Sequence, residues 1–423
     1  MDIIVYSLID AIKTIREGWE VFSRVWFIVL PVPFYYLLKT IWMSYRQREY
    51  ARSLEYVLLE IIPPRDIERS PKPMESVFSG IAGVLKTFNP IEEFVKGMTT
   101  NPFSFEMAGF DGAVHFYIRM PKNYRNLIEA HVYAQYPDAE IVEASDYVDN
   151  VPKIVPNREL DLWGADFELV KPDPYPIRTY KYFEESITGE MIDPLAALVE
   201  VMGSLEPGQQ IWFQCIMVPI HENWYNSGRA LADELAGKTK KREGVLASIW
   251  GDLGDVINNV IPGLTQPVEF AKKEEKEQAP LEFRLTPGEK EILKALEANI
   301  GKYVFDTKMR FVYLGKRDNF SKANVSSFVG GIKQFADFNL NSFKPNERSK
   351  TVANFIFVDR RLRWRQRKIF KRYRDRDRTG KKVVLSSEEL ATVYHMPDMS
   401  VVAPGVIKTE FKRGGAPSNL PVK

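Results

Sequence analysis

One cysteine and four histidines are spread thinly over 423 residues. Cys215 has no second thiol with which to close a disulfide inside the chain, and no cysteine metal cluster can be assembled. A lone thiol suits a reducing compartment. It sits in the apolar run 209–219, where a small core residue is a simpler reading than a nucleophile. His115, His131, His221 and His395 stand apart, with no H-E-x-x-H spacing. The phosphate-cradling pattern G-x-x-x-x-G-K-[ST] is missing. Gly330-Gly331-Ile332-Lys333 and Gly380-Lys381 lack both its spacing and the hydroxyl that holds Mg²⁺. With no catalytic, metal or cofactor constellation to assemble, the expectation is a non-enzymatic protein without a cofactor.

Long apolar runs are also scarce. The one that exists, Val25–Tyr45 (VWFIVLPVPFYYLLKTIWMSY), has a single charge, Lys39, in 21 residues. That is near the length needed to cross a hydrocarbon core of about 30 Å. Trp26, Tyr36 and Trp42 suit the interfaces. Pro31 and Pro33 fall mid-run, where they would kink or break a helix. The run starts too late, and lacks the small-residue site, for a cleaved signal peptide. Ahead of it, Ile4, Leu8, Ile12, Ile15, Trp19 and Phe22 recur at helical spacing, as in a helix lying on a membrane surface. The expectation is an anchor over 1–50 that includes a membrane helix.

Charge of one sign is not in excess overall, at +2 for the whole chain. It is concentrated instead. Arg360–Arg378 holds eleven Lys/Arg against two Asp, a local +9 that leaves about −7 for the rest. Leu362, Ile369, Phe370 and Tyr373 form a stripe able to pack on a protein body, and arginines take much of the remaining circumference. Such a face binds phosphate by charge and forked hydrogen bonds. The candidate anion-binding set is Arg360, Arg361, Arg363, Trp364, Arg365, Arg367, Lys368, Lys371, Arg372 and Arg374, with Arg378 also projecting. Trp364 and Tyr373 could stack on the bases of a single strand. Three partners compete for this face: nucleic acid, anionic lipid headgroups and an acidic surface of another protein.

Between anchor and basic helix the periodicities alternate. Strand patterns at 54–63, 103–108, 114–120 and 139–144 and helical patterns at 70–85 and 123–136 give β-α-β-β-α-β over 51–150. This is the order of a ferredoxin-like fold. The order recurs over 151–358 through 162–170, 194–205, 209–219, 303–314, 322–336 and 352–358, with an insertion at about 220–300. Each unit carries an amphipathic insertion: Ile81 to Met98 in the first and Leu246 to Val260 in the second. Lys272–Pro280 reads as a solvated linker. The fold class expected is therefore α+β: a membrane helix, two ferredoxin-like domains, a basic helix at 359–379, and a final segment at 380–423.

That final segment resembles a known one. The run E-L-A-T-V-Y-H-M-P at 389–397, with A-P-S-N-L-P at 416–421, resembles the stretch upstream of the ATPase core in HerA/FtsK-superfamily conjugative DNA-transfer ATPases of type IV secretion systems. The runs at 54–79, 115–141 and 193–214 resemble an uncharacterised membrane-anchored family of Candidate Phyla Radiation (Patescibacteria) bacteria, encoded near such ATPases. The resemblance implies an accessory subunit at the bacterial inner membrane, its bulk cytoplasmic, beside a translocation ATPase. It also implies a homo-oligomer, by analogy with a hexameric motor. Glu389, Leu390, His395, Pro397, Asn419 and Pro421 mark where such a motor would dock.

Overall fold

A computed structural model describes residues 13–397, apart from scattered positions before residue 30 and segments 65–69, 111, 184–191, 221–223 and 237–284. The second amphipathic stripe, the linker at 272–280, Asn419 and Pro421 lie outside the described residues, as does most of the surface helix expected at 2–23. Contacts divide the chain into two units: 1–55 with 86–100, and 56–85 with 101–423.

In the first unit, α1 (Pro31–Ser53) has proline in its first turn. Trp26 and Phe27 just ahead are also helical and the Leu30 N–H donates to the Trp26 carbonyl at 2.8 Å, so the two prolines fall between helical stretches. The described residues do not support the expected span. From Pro31 to the first arginine, Arg46, α1 rises only about 22 Å, short of the roughly 30 Å required. Arg46, Arg48, Glu49 and Arg52 follow. Among the described residues no helix is long and apolar enough to cross a membrane. Trp26, Tyr36 and Trp42 are exposed. The indole of Trp42 donates to the Phe94 carbonyl at 2.8 Å, and the Arg46 guanidinium donates to the Val95 carbonyl. Gly97 sits at φ +67°, where a Cβ would collide with the Arg46 backbone.

The second unit is a mixed α+β structure around one antiparallel sheet. Its strands are β1 (Tyr56–Ile62), β2 (Phe103–Phe110), β3 (Ala113–Pro121), β4 (Glu140–Glu143), β5 (Leu160–Leu169), β6 (Gln209–Ile220), β7 (Val304–Lys316), β8 (Phe343–Pro345) and β9 (Val383–Ser386). The spatial order is β4-β1-β3-β2-β6-β7-β5-β8, with β9 paired to one end of β7. The first four strands and the next four thus each follow the order 4-1-3-2. The two halves join edge to edge through β2 and β6, in register from Phe103↔Met217 to Phe110↔Gln210. The helices between strands are α2 (Lys72–Ala82), α3 (Arg125–Gln135), α4 (Ala196–Gly203) and α7 (Lys322–Ile332). The insertion after β6 supplies α5 (Trp224–Leu235) and α6 (Pro287–Ile300).

Strand periodicity of two sets the layers. Phe103, Phe105 and Met107 of β2, Phe213 and Cys215 of β6, and Met309, Phe311 and Tyr313 of β7 point to one face. There they form the large core under α2, α3, α4 and α7. Intervening residues point the other way, toward a smaller core built on Trp212, Val312, Leu314 and Tyr147.

The run expected to close the sheet, 352–358, is not a strand. The strand β8 lies upstream of it, at Phe343–Pro345, and pairs with Phe167–Leu169. Val352 to Phe357 instead form an exposed loop leading into α8 (Val358–Arg374), followed by β9 and α9 (Ser387–Val393).

Candidate anion-binding interface

α8 covers the second sheet face. Ile369, Phe370 and Tyr373 are buried on its underside against Trp212, Val312, Leu314 and Leu162. Ring centroids of Trp212 lie 6.1 Å from Phe370 and 5.4 Å from Tyr373. Burying Ile369 and Phe370 contributes about 1.5–3 kcal/mol each. Gln366 is buried with them and donates to the Leu162 carbonyl at 2.7 Å. Leu362 is half-buried. The expected packing stripe is therefore present, and it takes Tyr373 out of reach of any base.

Beneath the C-terminal end of α8 the sheet carries a row of polar side chains. Tyr117, Glu106, Gln214, Arg310 and Asp166 are cross-strand neighbours on consecutive strands β3, β2, β6, β7 and β5. Glu106 is fully buried and accepts from Ser104 Oγ (2.6 Å), Tyr147 OH (2.7 Å), Gln214 Nε2 (3.1 Å) and Arg376 Nη2 (3.0 Å). Burial would raise its pKa, but the Arg376 charge and these hydrogen bonds hold it at about 2. Burial and the Glu106 charge push the Tyr147 hydroxyl well above its ordinary value. Arg376 also grips Asp146 at 2.8 Å. Arg310 donates to Asp166 (2.8 Å) and to the Arg372 and Asp377 carbonyls (2.7 and 2.9 Å), satisfying a helix C-terminus where cations are favoured. Lys308 reaches Asp166 at 2.7 Å.

This network divides the basic cluster into two sets. Arg365 donates to the backbone carbonyls of Lys350 and Val352 at 3.0 and 2.6 Å. Arg372 faces Asp377 at 3.5 Å, Arg374 binds Asp149 at 2.7 Å, and Arg378 binds Asp306 at 2.8 Å. Of the candidate set, Arg365, Arg372 and Arg374 are thus committed internally, and Arg374 and Arg378 do not project as expected. Arg360, Arg361, Arg363, Trp364, Arg367, Lys368 and Lys371 are exposed. Arg360, Arg363, Arg367 and Lys371 fall on one stripe, spaced three, four and four residues apart, a row roughly 16 Å long. Lys371 pairs with exposed Asp375 at 2.6 Å, an attachment of small worth in water. Lys368 lies over the Trp364 ring, 4.4 Å from its centroid.

The docking candidates lie elsewhere, inside the protein. Glu389, Leu390, His395 and Pro397 are buried. Ser386 and Glu389 form a capping box at the start of α9. Glu389 Oε1 also accepts from the Ile177 N–H at 3.0 Å, and burial raises its pKa to about 7. Leu390 joins the large core. His395 bridges the Ala391 carbonyl (2.8 Å) and Asp193 (3.0 Å). Glu388 accepts from Thr179, Lys181 and Lys302. These residues seat α9 on the body and give a partner no surface.

A family model described as a domain of unknown function (DUF8128) matches residues 47–409. The chain belongs to that family. No curated protein matches it. The matched span takes in the sheet, the polar row and all of α8, so the geometry above is that of the family domain.

Among the described residues, no three His, Cys, Asp or Glu side chains lie together in a way that could hold a metal ion. Cys215 is buried, and burial pushes its thiol pKa up, away from thiolate chemistry. His115 is held by Glu60 at 2.6 Å between the stacked rings of Phe110 and Tyr117. Sequence reasoning missed two features. One is the polar row, foreshadowed only by the polar alternation His115, Tyr117, Arg119. The other is the loop Phe355–Phe357, which reads by composition as a strand.

Proposed function

We propose that this chain is a non-enzymatic accessory subunit of a type IV secretion-like, conjugative DNA-transfer machine, related to the Patescibacterial family its sequence resembles. On this reading it is held at the bacterial inner membrane with its bulk in the cytoplasm, works as a homo-oligomer, and scaffolds a HerA/FtsK-superfamily ATPase. The two sheet halves, each with β-α-β-β-α-β order and 4-1-3-2 strands, are read as ferredoxin-like domains fused into one platform. The motor docks away from the buried residues of α9.

One observation carries the reading. α8 commits part of its basic cluster to fixing itself on the sheet and leaves Arg360, Arg363, Arg367 and Lys371 as an outward row. Exposed cations held side by side repel one another, and a polyanion relieves that cost. DNA guided toward the motor is one such polyanion. A second reading, a scaffold whose row meets anionic lipid and not DNA, is favoured by the exposed apolar side chains of Phe355, Ile356 and Phe357 beside the row.

The test measures binding of the full chain to single-stranded DNA, duplex DNA and anionic vesicles across a salt series. Binding to at least one should fall steeply with salt, because phosphate contacts release counterions. Arg360→Gln/Arg363→Gln/Arg367→Gln should remove the salt-dependent part of that binding without changing the melting temperature. Salt-independent affinity, or none for any of the three, would sink the reading.

A further inference from the structure

The loop ahead of α8 holds three adjacent apolar side chains almost free of protein contact. Phe355 is 90% exposed, Ile356 70% and Phe357 75%. Phe355 (φ +70°) and Phe357 (φ +54°) occupy the left-handed region, which disfavours any residue with a Cβ. The start of α8 holds them there. Arg361 Nη1 donates to the Asn354 carbonyl at 3.0 Å, and the Arg361 N–H donates to the Phe357 carbonyl at 3.0 Å. Arg365 clamps the Lys350 and Val352 carbonyls just upstream. The backbone is thus tied down on its polar side while its apolar side chains face water, an arrangement that marks an interaction surface.

We propose that Phe355–Phe357 is an insertion tip that enters the interfacial layer of a bilayer containing anionic lipid, with Arg360, Arg363 and Arg367 on the headgroup phosphates. The inference rests on reading α8 as an anion-binding face and names its partner. Arg360, Arg361 and Arg363 follow the tip within about 9 Å of helix rise, comparable to the Debye length of about 8–10 Å. An inserted tip therefore brings them to the headgroups. Trp364, 60% exposed, is the residue type that settles at that level. A short apolar insertion and a basic patch together provide the two signals that stable membrane attachment needs. Nucleic acid fits the tip less well. Ile356 at its centre is a branched aliphatic with no flat face for a base, and none of the three side chains has a donor or acceptor to read one. α1, in the other unit, also exposes Phe34, Tyr35, Leu37, Leu38 and Ile41, so lipid-suited surface occurs twice in this chain.

Because α1 can itself hold lipid, the measurement is made at the tip. Full-length chain carrying Ile356→Cys is labelled with an environment-sensitive fluorophore, the one native thiol, Cys215, being buried. It is then mixed with phosphatidylcholine vesicles with or without phosphatidylglycerol. The expected result is a blue shift, and quenching by lipid-chain quenchers, only when phosphatidylglycerol is present, with both lost at high salt. In the unlabelled chain, Phe355→Ser/Phe357→Ser should weaken partitioning into those vesicles at least about tenfold at unchanged melting temperature. A probe that stays in water on phosphatidylglycerol vesicles overturns the proposal, as does one that responds to single-stranded DNA and not to vesicles. If anions still bind through the arginines while the phenylalanine variant behaves as wild type, the tip falls and the anion-binding face stands. If the chain binds no anion at all, both fall.

Discussion

Arg376→Met cuts the buried network at its most connected point. The substitution removes the guanidinium while keeping a side chain of similar reach at the same left-handed backbone position, φ +48°. Glu106 would stay fully buried with only Ser104, Tyr147 and Gln214 as donors. Breaking a buried ion pair by removing one partner costs about 3–5 kcal/mol. A second route gives a similar figure. Glu106 is held at about 2 against an ordinary 4.5, a difference worth about 3 kcal/mol at neutral pH. In the native protein this depressed pKa contributes stability that is complete above about pH 4.5 and is lost as pH falls through about 2. Without Arg376, burial dominates and pushes the Glu106 pKa above its ordinary value, so the sign inverts. The variant should lose about 3–5 kcal/mol in urea unfolding at neutral pH, and the deficit should shrink on acidification as Glu106 takes up a proton. Glu106→Gln/Arg376→Met should recover part of the loss, since no buried charge is then unpaired. A deficit under about 1 kcal/mol, or one that does not shrink in acid, would refute the claim that Arg376 keeps Glu106 ionised inside the protein.

Glu389→Gln should destabilise by about 1–3 kcal/mol in thermal or urea unfolding, because an amide N–H would face the donating N–H of Ser386 or Ile177. Since burial raises the Glu389 pKa from 4.5 to about 7, this group favours folding less as pH rises between those values. The native-minus-variant stability difference should therefore narrow over that window. Gly228→Ala would set a Cβ 2.2 Å from Ile300 Cγ2 and should cost about 1–3 kcal/mol, read as a lowered melting temperature. Arg360→Gln, Arg363→Gln and Arg367→Gln should each change stability by less than about 0.5 kcal/mol. Arg365→Gln should cost about 1–2 kcal/mol, because the Lys350 and Val352 carbonyls lose their donor.

The strands were legible because they are apolar on one face and bounded by turn residues. β2, β3, β6 and β7 fall within a residue or two of where alternation puts them. The joint between halves was not legible. Phe103–Phe110 and Gln209–Ile220 lie about a hundred residues apart, and nothing local says which edge meets which. The stretch 352–358 misleads because strand propensity measures fit to a half-buried pleated surface, and Phe355 and Phe357 have no such surface. For the basic helix, composition gave the total charge but not its division. Arg374 and Arg378 look no different in sequence from Arg363 and Arg367. Only Asp149 and Asp306, brought in from distant segments, take them out of solvent. The α9 run resembles a junction in larger proteins, yet Glu389 and His395 are spent on Ile177 and Asp193, more than 200 residues upstream in both cases.

The edge-to-edge seam has a mechanical consequence. β2 and β6 are antiparallel over eight register pairs, so the two halves of the sheet cannot swivel about a linker. A pull directed along the strands loads every rung of that ladder at once, in shear, whereas a pull across it would open the rungs singly. Tension between the first half and the second would thus be borne as by a rigid coupling, and extension under a single-molecule pull along β2 and β6 should come late and in one step.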